Sequence, residues 1–155
     1  VVANDRGITV WLKGNRVSRN QIMAIKEESV TDQKNSLTVC LDNILRHAGI
    51  TRNTEYDLAQ GKTAIQILEE NMTGVQVLDL SGCSLDAVLY YVNQDIPVLA
   101  ILEDGEAVLV TGFNEFNVVI MEPSTGKLYK KGMNDATTWF AENGNHFISY
   151  MKIDN

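Results

Sequence analysis

Apolar residues at Leu37, Leu41, Ile44, Leu45 and Ala48 recur at helical spacing, which predicts a helix from about Leu37 to His47. Gly49 supplies its C-terminal stop, and Asn35 or Ser36 a side-chain cap for its first turn. A second helical stretch, about 54–59, leads through Gly61 to a third at 63–71, with Ala64, Ile65, Ile67 and Leu68 facing inward. Val75 to Leu80 alternates in polarity and reads as a strand, and Leu85 to Val92 reads as a helix capped by Ser84.

The pattern then changes. Pro97 to Leu102 and Ala107 to Thr111 are near-continuous apolar runs, as strands buried on both faces should be, and Asp104-Gly105 between them is a hairpin signal. A turn at Gly112 to Glu115 precedes a strand from Asn117 to Met121. Thr125-Gly126 then turns into a strand from Lys127 to Lys130. A helix near 134–142, carrying Trp139 and Phe140, leads to a last strand from His146 to Met151. Helices first and an antiparallel sheet afterwards make the fold class α+β, with N-terminal helices packed on a C-terminal sheet. Residues 1–30 read differently: Ile8 to Leu12, a turn at Lys13-Gly14-Asn15, and Arg16-Val17 suggest a β-hairpin extension beside a main domain spanning 31–155.

Composition narrows the function more by exclusion than by assertion. A chain of 155 residues can bury about 70% of its unfolded surface as one domain. No apolar run approaches the ~18 residues of a membrane span, so direct membrane insertion is not expected. A net charge of −7 argues against nucleic acid as a partner and suits cationic ligands. Neither cysteine, Cys40 or Cys83, belongs to a Cys-x-x-Cys pair, so no structural metal is expected, and no cofactor motif is present. Cys40 reads as a buried small hydrophobe, with a Cys40–Cys83 disulfide left open. The start at Val1-Val2-Ala3 reads as a processed piece of something longer.

The stretch from Gln33 to Gly49, Gln-Lys-Asn-Ser-Leu-Thr-Val-Cys-Leu-Asp-Asn-Ile-Leu-Arg-His-Ala-Gly, resembles the active-site helix of papain-like cysteine peptidases. Within that group it resembles the bacteriocin-processing (double-glycine-leader) peptidases and their broader relatives. In those a glutamine lies shortly before Cys-Gly-x-x-Cys/Ala-Leu, and the apolar helix ends at a glycine. On this resemblance Ser36 stands at the nucleophile position, Cys40 at the second, buried cysteine, and Gln33 near the oxyanion glutamine. Those peptidases also carry Gly-His, an apolar run, Gly-Tyr/Phe, and then Asp-Pro with a downstream glycine. The corresponding residues are Gly105-Glu106, Gly112-Phe113 and Glu122-Pro123 with Gly126. Glu106 therefore stands where the histidine base belongs and Glu122 where the orienting aspartate belongs. The resemblance spans roughly residues 33–151.

A hairpin turning about Asn114 would set Glu106 opposite Glu122, with Cβ atoms about 4.5–5.5 Å apart. Two carboxylates there repel, and Ser36 is expected to hydrogen-bond one of them. His47, in the last turn of the first helix, reads as a favourable C-terminal cation, and His146 as a structural or exposed strand residue. The resemblance and its substitutions imply a peptidase-like fold without the chemistry. It would bind a peptide or protein of unidentified kind, as a module of a larger bacterial surface or export protein. The alternative is an active cysteine- or serine-type peptidase, with Cys40 as nucleophile if the helix is shifted by one turn. Location is read as extracellular or cell envelope, with a cytoplasmic domain of a peptide exporter as the alternative.

Overall fold

The computed structural model describes residues 35–153; the predicted N-terminal hairpin and Gln33 lie outside them. Helix α1 (Ser36–His47) opens on Asn35, whose Oδ1 accepts the Thr38 N–H at 2.8 Å. Every residue from Thr38 to Leu45 is buried, so the helix runs through the core rather than along its surface. The chain leaves it at Gly49, φ +88°, where a Cβ would be strained. There the Ile50 N–H reaches back to the Leu45 carbonyl at 2.8 Å and the Gly49 N–H to that of Arg46 at 2.9 Å, closing the last turn.

Polar residues inside α1 are accommodated by specific partners. The Asn43 amide donates to the Val39 carbonyl, and Asp42 Oδ1 accepts both the N–H and the hydroxyl of Thr54, at 2.8 and 2.9 Å. Thr54 in turn precedes α2 (Glu55–Ala59), so the buried carboxylate fixes how the chain re-enters after α1. In α3 (Ala64–Asn71), Thr63 and Gln66 cap each other reciprocally.

Six strands form one antiparallel sheet: β1 (Val75–Asp79), β2 (Val98–Ile101), β3 (Ala107–Phe113), β4 (Asn117–Glu122), β5 (Lys127–Gly132) and β6 (His146–Lys152). Their order across the sheet is β1-β6-β2-β3-β4-β5. Helix α4 (Leu85–Asn93) lies between β1 and β2, and α5 (Met133–Glu142) between β5 and β6. The α+β class predicted from the order of elements is the architecture found.

Strand alternation separates two cores. Leu99, Ala107, Leu109, Met121 and Ile148 pack with α1 and α3 on one face. Val98, Ala100, Val108, Val110 and Phe147 pack with α4 and α5 on the other. All seven residues of β3 are buried, which is why its run from Ala107 to Val110 is apolar instead of alternating.

The β3–β4 connection departs from expectation. The predicted turn at Gly112 to Glu115 would have ended the strand early, whereas β3 continues to Phe113, which pairs with Val118. Asn114 explains the shift: its Oδ1 accepts the N–H groups of Phe116 and Asn117, each at 2.8 Å, so the chain reverses over Glu115-Phe116. A bulge between Val110 and Gly112 shifts the register once more, leaving Leu109 opposite Met121. Continued by one residue, that pairing sets Glu122 against Val108. The predicted Glu106–Glu122 cross-strand pair is therefore incorrect.

Candidate functional site

The N-terminus of α1, the β2–β3 hairpin and the β4–β5 turn converge at one end of the sheet, with α5 beside them. They enclose a cavity of about 480 Å³. Its size is within the range of ligand pockets. Ser36, Glu106 and Glu122, the three positions singled out in the sequence, all line it.

Their arrangement differs from the expected dyad. Ser36 Oγ accepts the backbone N–H of Ala107 at 2.8 Å. The hydroxyl thereby ties the first turn of α1 to the first residue of β3, against the peptide bond that follows Glu106. Among the described residues it makes no hydrogen bond to either glutamate, contrary to expectation. The Glu122 carboxylate instead accepts the hydroxyls of Ser124 at 2.9 Å and Thr125 at 3.4 Å within its own turn.

Glu106 leaves the hairpin beside Gly105, whose φ of +89° is the left-handed conformation that the Asp-Gly signal foretold. The Glu106 N–H donates to Asp104 Oδ1 at 2.9 Å and its carbonyl accepts from Leu102 at 2.7 Å. Its side-chain carboxylate has no hydrogen-bond or ion-pair partner among the described residues.

Among the lining residues that the sequence reading did not single out are Asp104, Tyr129 and Trp139. Asp104 was visible only as a turn former, Tyr129 as one residue of a strand, and Trp139 as a packing aromatic. They come from separate elements, and only the sheet order β3-β4-β5 with α5 beside it brings them to one cavity. Tyr129 is 39% exposed, and partial burial, then the neighbouring Glu122 charge, push its phenol above the usual range. The Lys131 ammonium lies over the Trp139 ring, 4.9 Å from its centroid.

Thiols and imidazoles are elsewhere. The chain has two cysteines and two histidines, all four among the described residues, and none lines the cavity. Cys40 is fully buried against the α1–α3 core, and burial pushes its thiol far above the ordinary range. Cys83 packs half-buried on the opposite core, and both are free thiols, which answers the open disulfide question. His47 Nε2 lies 3.0 Å from the Asp95 carbonyl and 3.7 Å from its carboxylate, at the far end of α1. His146 is exposed at the start of β6. Among the described residues there is no grouping of His, Cys, Asp and Glu able to hold a metal, and no helix long and apolar enough to cross a membrane.

No protein-family model matches the sequence, and no curated protein sequence does. Solved structures give a different answer. The chain superposes on the crystal structure of a Bacillus anthracis protein assigned as a C39-like peptidase, with a TM-score of 0.69. That alignment covers 86% of this chain and 98% of the other at 14% sequence identity. The fold is therefore like that of this C39-like peptidase, and at this identity the likeness carries the architecture alone.

Proposed function

We propose that this chain is a peptidase homologue without catalytic activity, which binds a peptide or protein segment in the groove at the N-terminus of α1. In this role it is a module of a larger bacterial surface or export protein. One observation carries the reading: the groove is lined by Ser36, Glu106 and Glu122, while every cysteine and histidine of the chain lies outside it.

The chemistry follows from those side chains. A cysteine peptidase needs a thiolate stabilised by an imidazolium and a helix N-terminus. Ser36 retains the helix N-terminus but offers a hydroxyl, a far weaker acid than a thiol. Activation would require a strong base within hydrogen-bond reach, and a carboxylate is a poor one at neutral pH. The hydroxyl oxygen is also engaged by the Ala107 N–H, so the side chain now braces the helix against the sheet. Cys40 does not replace it, because a buried, desolvated thiol neither ionises nor meets substrate. What persists is the shape: an open groove between helix and sheet, suited to an extended peptide held through its backbone and a few side chains.

The test is a digestion. Incubating the purified chain with a mixed peptide library and reading the products by mass spectrometry should give the library back intact, and nuclear magnetic resonance titration should find binders at the groove. Sequence-specific cleavage that is lost in Ser36→Ala would overturn the proposal.

A further inference from the structure

The lining of the groove has a chemical bias that the loss of catalysis does not require. Among the described residues its charged side chains are Asp104, Glu106 and Glu122, all acidic, and its ring-bearing walls are Tyr129, Trp139 and Pro123. Lys127, cross-strand from Glu122, neither lines the cavity nor forms an ion pair with it among the described residues. Acidic groups alone would imply little. Here they share a concave space of about 480 Å³ with two partly exposed aromatic rings, one of which already attracts an ammonium group, that of Lys131.

We infer that the groove selects a peptide through a lysine side chain, its alkyl stem lying along Trp139 and Tyr129 and its ammonium group meeting the Glu106 carboxylate. This rests on the peptide-binding reading above and names the ligand class for the same groove.

The three carboxylates are not equivalent, and their hydrogen bonds say which one receives the cation. Asp104 uses Oδ1 to hold the Glu106 N–H, and Glu122 accepts two hydroxyls in its own turn. Among the described residues Glu106 alone of the three has no such engagement, and it is the carboxylate to which the ammonium group is assigned. A lysine suits the mixed wall because its stem is apolar and its head is not. The aromatic faces favour a cation over a neutral group of the same length. Ser36, fixed to Ala107, keeps the helix terminus in place beside the anchoring carboxylate.

The experiment titrates the full 155-residue chain, isotopically labelled, with end-capped Ala-Ala-Lys-Ala-Ala. The same peptide carrying Nε-acetyl-lysine and an uncapped Ala pentapeptide run in parallel. Amide shifts should concentrate at Glu106, Tyr129 and Trp139. The acetylated peptide should bind about five- to tenfold more weakly, and raising salt should weaken the lysine peptide alone. Glu106→Gln should reduce affinity for the lysine peptide to that of the acetylated one, while Asp86→Asn, on α4, should change nothing.

Equal binding of the lysine and acetyl-lysine peptides overturns the inference but leaves the peptide-binding reading intact, as does indifference to Glu106→Gln in a variant with an unchanged spectrum. Equal binding of the uncapped alanine peptide also overturns it, by assigning the site to a terminal amine. Failure of every peptide to bind overturns both. Cleavage of the lysine peptide with its preference retained supports the selectivity and removes only the non-catalytic reading.

Discussion

From Thr38 to Leu45 every residue of α1 is buried, whereas Asn35 and Ser36, one turn earlier, border the open groove. The two ends of this short stretch are under different constraints. In the buried part, each side chain is surrounded by others, and a change of volume or polarity is felt throughout the core. At the groove, Ser36, Glu106 and Glu122 are exposed or half-exposed, so their exchange costs the fold little. An architecture can accordingly match that of a C39-like peptidase at a TM-score of 0.69 with only 14% of residues identical. Burial conserves shape, and chemistry at an exposed rim is free to change.

Substitutions on either side of that boundary sharpen the contrast. Leu45→Ala, at a side chain with 0% exposure, should destabilise by about 2–5 kcal/mol, read as a shift in urea midpoint with an unchanged slope.

A second effect belongs to Cys40 and has a defined sign. Its thiol is raised in the folded state, so above the unfolded thiol value near 8.5 the unfolded chain loses a proton that the folded chain keeps. Stability should therefore fall as pH climbs from about 8.5 towards 10, by up to about 1.4 kcal/mol per unit. Cys40→Ala should show a flatter profile over the same window, and a profile unchanged by the substitution would mean that Cys40 is not the protonated, desolvated group.

On the groove side, Ser36→Ala removes the acceptor of the Ala107 N–H and should cost only about 1 kcal/mol, with the folded spectrum preserved. A loss comparable with that of Leu45→Ala would erase the distinction between the two ends of the helix.

The same boundary governs what the sequence revealed. Elements defined by burial were readable: the unbroken apolar run from Ala107 marks a central strand, and the helical stripe from Leu37 with Gly49 behind it marks α1. Asp104-Gly105 was readable too, because a left-handed glycine has a local cause. The β3–β4 register was not, since it depends on the Asn114 side chain capping two N–H groups and on a bulge beside Thr111, neither of which periodicity encodes. Of the groove, Ser36, Glu106 and Glu122 stood out through the resemblance to the peptidase motifs. Tyr129 and Trp139 did not, because their convergence is a product of sheet order, which no local pattern carries.

The central claim, that the groove binds without catalysing, is reached most directly by asking whether Ser36 behaves as a nucleophile. Treating the chain with a fluorophosphonate, which phosphonylates activated serines with loss of fluoride, and recording the intact mass should return the unmodified protein. A stoichiometric adduct mapped to Ser36, and absent from Ser36→Ala, would contradict the account.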